Sequence, residues 1–282
     1  MNSLVILLQS TVTLGAPLIL AALGGFASER GGVINIALEG KMLTSCAVTA
    51  IVALATHNAA AGVVAGIGAA VVISLAHWLL TQIYQIDHIV SGMAINAFAL
   101  GATNFLDKRF SDPGRGEVPQ LPTNLFYVLS LALPILVAWI AVRTRGGLRL
   151  RAVGSDPNKA RTMGISPLRV RFLGLLWCGI FCGLSGALIV TNAKYFTDGM
   201  TSGRGFIALA ALIIGGWRPI PTLIACLAFG FLQALQIVLQ GSHVGGFEVP
   251  REAWLCLPYL ATIIALAGFL GKNRAPGGLG QP

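Results

Sequence analysis

Glu29, Arg30, Asn35, Glu39 and Lys41 fall in one short run, interrupted by Gly31, Gly32 and Gly40, between stretches that are otherwise apolar. Ionisable groups set among apolar residues cost about 2.5–3.5 kcal/mol each to place in a membrane, so they face a bundle interior or a wet cavity. A glycine-broken helix exposes backbone donors and a half-helix end, which can bind a polar solute. Asn35 and Glu39 are therefore candidates for a solute pathway. The plainer alternative is a short turn, with Glu39 beside Lys41 at a helix mouth. A second run, Asp87-His88-Ile89-Val90-Ser91-Gly92-Met93-Ala94-Ile95-Asn96, places Ser91 near a helix start and Asn96 a turn or more inside an apolar stretch. An amide at that depth needs a partner, either as a tie between helices or as a solute contact.

The third chemically loaded stretch is basic. Arg143, Arg145, Arg149, Arg151, Lys159, Arg161, Arg169 and Arg171 account for eight of the 19 Lys and Arg residues, and Asp156 alone opposes them there. Ser155 or Asp156 can cap a helix, Pro157 suits its first position, and Gly164 can close it. The spacing predicts a two-turn helix, rigid enough for a soluble partner to push on; the alternative is a solvated loop lying on anionic lipid headgroups.

Catalytic patterns are weak. Gly183-Leu184-Ser185-Gly186 matches the Gly-x-Ser-Gly of an intramembrane serine protease, but the one later histidine, His243, falls in a connecting loop rather than at helix depth. A nucleophilic serine needs a base within hydrogen-bond reach. No phosphate-binding Gly-x-x-x-x-Gly-Lys-Ser/Thr loop is present, since Gly40-Lys41 is followed by Met42 and Asn35 stands where the first glycine should be. Cys46, Cys178, Cys182, Cys226 and Cys256 all lie in apolar runs without His or carboxylate neighbours at metal-ligand spacing, and they read as small buried side chains rather than a metal site.

The elements that must position these residues are membrane helices. Of the 282 residues 55% are hydrophobic and 10% charged, with a mean hydropathy of +0.79; a soluble domain carries about a quarter charged residues. Apolar runs cover roughly 4–27, 35–55, 61–83, 89–106, 124–142, 170–191, 204–216, 219–240 and 253–270. Most match the length that crosses ~30 Å of hydrocarbon, and the alternating ten-residue pattern of a membrane barrel is missing. The run 204–216 is too short to cross at ~1.5 Å per residue, and is expected to be a half-helix completed by irregular backbone buried in protein. The fold class predicted is an all-α polytopic bundle of about eight to nine membrane segments, one domain over 1–282. The net charge of +9 comes largely from the basic stretch, so it marks a cytoplasmic loop rather than a nucleic-acid surface. That assignment places the turn at Trp217-Arg218-Pro219 inside and the charge-balanced loop 107–123 outside. The start Met1-Asn2-Ser3-Leu4 lacks the charged leader of a cleaved signal, so the first run is expected to stay as a helix. Gly62/Gly66 and Gly179/Gly183, each four apart, predict close helix approach within the chain rather than a dimer seam.

These residues carry a resemblance. Arg151 to Ile165 is similar to the cytoplasmic coupling segment of ABC importer permeases in the branched-chain amino-acid, ribose and nucleoside branch. Ser28 to Gly40, Ile89 to Asn96, Thr201 to Ala211 and the end Leu266-Ala267-Gly268-Phe269-Leu270-Gly271 also match, in order, along nearly the whole chain. The likeness is to the shorter permease of nucleoside-type "simple sugar" importers, without the extra first helix of ribose-type permeases. It implies a non-catalytic subunit of a prokaryotic inner or plasma membrane, without a cofactor of its own. ATP and Mg would be bound by a cytoplasmic ATPase partner, beside a second related permease, a periplasmic or lipid-anchored binding protein and surrounding lipid. By resemblance, about 150–166 forms the coupling segment, with Gly154, Asp156, Pro157, Lys159, Arg161, Gly164 and Ile165 against the ATPase. Asn35, Glu39, Ser91, Asn96 and Phe206 become pathway candidates for a nucleoside or simple sugar. The competing reading is an ion-coupled carrier using Glu39 and Asp87, against which stands the lack of a visible inverted repeat.

Overall fold

Apolar runs of this length leave the backbone one economical solution in lipid, the α-helix, which pairs its own N–H and C=O groups. The computed structural model describes residues 3–110, 117–239, 243–244, 247–248, 260, 263–264 and 275–281. Its helices are α1 (Ser3–Glu29), α2 (Leu38–Thr56), α3 (Ala59–Trp78, continued by a π-helical turn Leu79–Ile83), α4 (His88–Phe110) and α5 (Thr123–Arg143). They continue as α6 (Arg145–Ser155), α7 (Pro157–Thr162), α8 (Pro167–Ala193), α9 (Arg204–Ile214) and α10 (Pro219–Leu239). A two-residue antiparallel pair, His243–Val244 with Phe247–Glu248, follows.

Among the described residues seven helices are long and apolar enough to span a membrane, and α9 is an apolar helix too short to do so. The expected segment 253–270 lies outside the described residues apart from 260, 263 and 264. The half-helix expectation for 204–216 holds. From Lys194, whose carbonyl accepts from Val118 N at 2.8 Å, the chain runs through non-helical backbone to Gly203, where α9 begins.

The most enclosed helix is α8, with 72% of its apolar window buried. It packs on α3, α1 and α2, while α10 lies along α1, and α4 leans chiefly on α2. Close approach depends on missing side chains. A Cβ on Gly179 would sit 2.6 Å from Val71 Cα, and one on Gly183 would sit 2.6 Å from Ile67 Cα. Gly62 and Gly66 likewise face α2, with Thr49 O and Ser45 O at 2.7 and 2.9 Å from the added carbons. Both pairs therefore serve packing within the chain. Hydroxyls add ties across these seams: Ser45 Oγ donates to Gly183 O at 2.7 Å, Ser74 Oγ to Leu175 O at 2.5 Å, and Ser185 Oγ to Pro17 O at 2.7 Å. Small residues and hydroxyl bonds are what hold helices together where lipid removes the hydrophobic drive.

Overpacking a tight interior costs about 1–3 kcal/mol. Gly179→Val is expected to lower thermal stability in detergent by that order, whereas Gly68→Val, where an added carbon meets nothing within 4 Å, leaves it unchanged. Equal melting behaviour of the two variants would contradict the α3–α8 seam.

Candidate functional site

Between α1 and α2 the backbone leaves the helix at Arg30 and resumes it at Leu38. The broken segment is pinned by side chains from several helices. Glu29 lies at its start: one carboxylate oxygen accepts from Asn35 N at 3.2 Å, the other from Trp217 Nε1 at 2.6 Å. Asn35 is fully buried; its amide nitrogen donates to Ser28 Oγ at 2.9 Å and Cys178 Sγ at 3.0 Å, and its oxygen accepts from Lys41 Nζ at 2.9 Å. Lys41 is 0% exposed, and its ammonium also reaches Cys178 Sγ at 3.7 Å. Asn35 therefore bridges an acid and a base that do not touch directly.

The far side of the segment is held by α3, α4 and α8. Ile34 N donates to His88 Nδ1 at 3.2 Å, and Ile34 O lies 3.2 Å from His77 Nε2. Because a carbonyl only accepts, His77 carries its proton on Nε2, and its Nδ1 accepts from Ser91 Oγ at 3.0 Å. Arg171, also buried, donates from Nε to Gly31 O at 3.3 Å and from Nη1 to Gln82 Oε1 at 2.7 Å. Asn96 closes the row: its oxygen accepts from Gly40 N at 2.8 Å and its nitrogen donates to Ile36 O at 3.0 Å. The amide thus replaces helical bonds that the break removed. Asp87, through Ile89 N and Val90 N at 2.9 and 3.0 Å, caps α4, leaving Ser91 inside the helix.

Glu39 binds a different element. Its two oxygens accept from Gly203 N at 2.7 Å and Gly205 N at 2.6 Å, so the carboxylate sits on the N-terminus of α9. A helix start carries unpaired N–H groups and a partial positive charge, which an anion stabilises. Gly205 has to be a glycine for this approach, because a Cβ there would lie 2.7 Å from Glu39 Cα. Phe206 follows in the first turn and is 48% exposed.

At the basic end of the bundle the segment 144–166 is two helices rather than one. The reason α6 forms is local: Thr144 Oγ1 accepts from Gly147 N at 3.2 Å at its start, and Leu150, on the same helix, packs toward Gly31. Asp156 caps α7, accepting from Asn158 N and Lys159 N at 3.0 Å each, with Pro157 in the first turn and Gly164 at φ +76° beyond the end. Hydrogen bonding to Lys159 N is the chief cause holding the Asp156 carboxyl below its ordinary value. A depressed carboxyl contributes stability above its unfolded-state range and loses it as pH falls through the depressed value, so this cap is intact at neutral pH and weakens in acid. Lys159, Arg161 and Met163 are exposed, whereas Pro157, Ala160 and Gly154 are buried. Gly154 touches the break itself: a Cβ there would collide with Arg30 O. Burial, then the charges of Arg151 and Arg218, lower the Arg30 guanidinium from its ordinary value.

The sequence-predicted residues therefore separate. Asn35, Ser91 and Asn96 converge on the break, Glu39 on α9, and Phe206 alone among the five faces outward. Gly154 joins the α6–α7 stretch to the break, and Asp156, Pro157 and Gly164 shape α7. Sequence reasoning passed over His77, a single polar group in an apolar run, and gave Lys41, His88, Arg171, Trp217 and Cys178 no part in this cluster. Cys178 is more than a small hydrophobe, since Asn35 and Lys41 both donate to it. Ser185 donates to a carbonyl and is fully buried, with no imidazole as its partner. Among the described residues no cluster of three His, Cys, Asp or Glu could hold a metal ion.

A family model described as the permease component of branched-chain amino acid transport systems matches residues 7–266. The chain belongs to this family. It is 39% identical to a guanosine ABC transporter permease, NupQ of Bacillus subtilis, over 98% of this chain and 96% of that one. It is 33% identical to the nucleoside ABC transporter permease NupC of Lactococcus lactis, over 98% and 95% of the two chains. A solved metal-chelate type ABC transporter in an inward-facing conformation shares the fold, with a TM-score of 0.55 at 12% identity over 93% of this chain and 85% of that one. An ABC permease of this family is a non-catalytic, multi-pass cell-membrane subunit whose ATP is hydrolysed by a partner ATPase, and the family implies no cofactor in the chain. The protease and ion-carrier readings are not favoured by these relatives.

Glu39→Ala strips two charge-assisted bonds from the start of α9, each worth about 1.5–3 kcal/mol. Glu39→Gln keeps one acceptor. Thermal unfolding is expected to rank parent above Gln above Ala; a parent-like Glu39→Ala would remove Glu39 from the scaffold.

Proposed function

We propose that this chain is one permease domain over residues 1–282, lining the path of a nucleoside, with purine nucleosides leading and simple sugars the neighbouring class. The observation that carries the substrate is the near full-length similarity to guanosine and nucleoside permeases. The basic end of the bundle faces the cytoplasm, in accord with the positive-inside rule. There α7, with Asp156, Pro157, Lys159, Arg161, Gly164 and Ile165, seats in the ATPase, and Gly154 hands its displacement to the α1–α2 break. A second, related permease completes the pathway, and a periplasmic or lipid-anchored binding protein delivers the solute.

Within this reading the pathway candidates divide by what their atoms are free to do. The polar atoms of Asn35, Ser91 and Asn96 already bond within the bundle, so these residues shape the pathway by fixing its discontinuous backbone. Glu39 does the same for the half-helix. Phe206, exposed beside the start of α9, supplies a π-face for a purine base. ATP binding shifts the population between inward- and outward-open forms, because the closed ATPase pair fits one of them better.

The test is co-purification and reconstitution. The chain, with its ATPase, companion permease and binding protein, is expected to show guanosine-stimulated ATP hydrolysis in proteoliposomes. Asp156→Lys and Gly164→Pro should abolish the stimulation while the complex still assembles. Phe206→Ala should raise the half-saturating guanosine concentration roughly tenfold, the scale of losing one base–aromatic stack. Stimulation that survives both α7 variants would refute the coupling role, and stimulation by glucose but not guanosine would refute the substrate class.

A further inference from the structure

Beyond the helices, segment 275–281 returns to the basic end and lies across the junction just described. Gly278 N donates to Gly154 O at 2.9 Å, and two residues on, Gly280 N donates to Gly32 O at 2.8 Å. One turn of backbone thus bonds the α6–α7 stretch at one point and the α1–α2 break at the next. Between these points Leu279 packs into the cluster of Phe26, Ala141, Leu212 and Trp217, and Trp217 in turn bonds Glu29. Pro276 and Gly278 are buried.

The composition suits a strap and nothing bulkier. A Cβ on Gly277 would lie 2.8 Å from Ser155 O, and one on Gly278 would lie 2.8 Å from Pro157 Cδ and 3.2 Å from Gly154 O. Gly280 adopts φ +79°, with a notional Cβ 3.0 Å from Ile34 Cδ1, and Gly32 adopts φ +98°, where its own added carbon would meet Gly278 O at 2.9 Å. Backbone must approach backbone on both sides, and two of the residues need a left-handed conformation, so glycine is required for steric and conformational reasons together.

We propose that residues 275–281 form a short strap that ties the α6–α7 stretch to the broken helix, so that displacement of α7 moves the break and the half-helix turn at Trp217 with it. The proposal rests on the importer reading. Its mechanical content is length: two residues span at most about 7 Å when fully extended, which bounds how far Gly154 O and Gly32 O can part, and turn bonds from Leu279 N to Pro276 O at 3.0 Å and from Gln281 N to Gly278 O at 3.3 Å hold the segment shorter than that bound. A loop that merely filled space would not need bonds at both anchors.

The experiment uses the whole transporter in proteoliposomes with guanosine as the probe, reading complex assembly, ATP hydrolysis and guanosine taken up per ATP hydrolysed. Gly278→Pro removes the N–H that bonds Gly154. A second variant inserts two glycines between Leu279 and Gly280, keeping every bonding group but adding up to about 7 Å of slack. Both are expected to assemble, to hydrolyse ATP, and to lose at least about fivefold in uptake per ATP, the lower range of coupling between linked sites. If Gly278→Pro does not assemble, the slack variant decides alone, because it keeps the N–H groups of both anchors. Uptake per ATP equal to the parent in the slack variant would overturn the strap. A parent chain that neither assembles with an ATPase nor takes up guanosine would instead overturn the importer reading, an outcome distinct from a coupled parent with unaffected variants.

Discussion

Backbone polar groups inside a membrane protein must be bonded within the protein, because lipid offers them no partner. The eight residues or so between α1 and α2 break the helical ladder, and the rest of the structure is arranged to answer that break. Glu29, His77, His88, Asn96 and Arg171 each bond a main-chain group of the segment or of its edge. Asn35, from within the segment, gathers Ser28, Cys178 and Lys41. Leaving a buried donor or acceptor unpaired costs about 1–3 kcal/mol, more for charged groups, so loss of a single member exposes others to the same penalty. The cluster is consequently a rigid body built from the ends of α1, α2, α3, α4 and α8 with the turn before α10.

Rigidity there is what the proposed coupling role of α7 requires. Gly154 meets Arg30 backbone to backbone, and the Leu150 side chain covers Gly31, so the α6–α7 stretch is in direct contact with the break. Glu39 then carries the connection from the start of α2 to the start of α9, where the exposed Phe206 sits. Force applied to one short capped helix has a short path, all of it through hydrogen bonds or van der Waals contact, to the half-helix. Interfaces of this kind move between discrete arrangements rather than bending continuously.

Much of this was legible in the sequence, and the limits have physical causes. Apolar length fixed the spans, and the sub-span length of 204–216 predicted α9 as a half-helix. The cap at Asp156, the proline after it and Gly164 are local rules, and α7 follows them residue by residue. Gly62/Gly66 and Gly179/Gly183 announced close packing correctly. The helix α6 was missed: its cap at Thr144 is a local bond from Gly147 N, but its packing at Leu150 comes from contact with Gly31 in the break, far away in sequence. The polar cluster was half visible. Asn96 signalled itself as an amide needing a partner, but His77 and Arg171 find theirs 43 and 140 positions away. Spacing along a chain cannot encode contacts of that separation; only the burial of a lone charge in an apolar run hinted that a partner had to exist.

The most direct measurement of a rigid link between α7 and the break is a pulsed EPR distance within this chain, in the assembled transporter. Spin labels belong at Asn158→Cys on α7 and Tyr84→Cys beside the π-helical turn, both exposed positions. Cys46, Cys178, Cys182 and Cys226 are buried and stay in place, with Cys256 replaced. One unchanged distance distribution in the nucleotide-free and ATP-trapped states is the predicted result, since α7 and the cluster travel together. A shift of several ångströms between the two states would show α7 moving past the break, and would contradict the account.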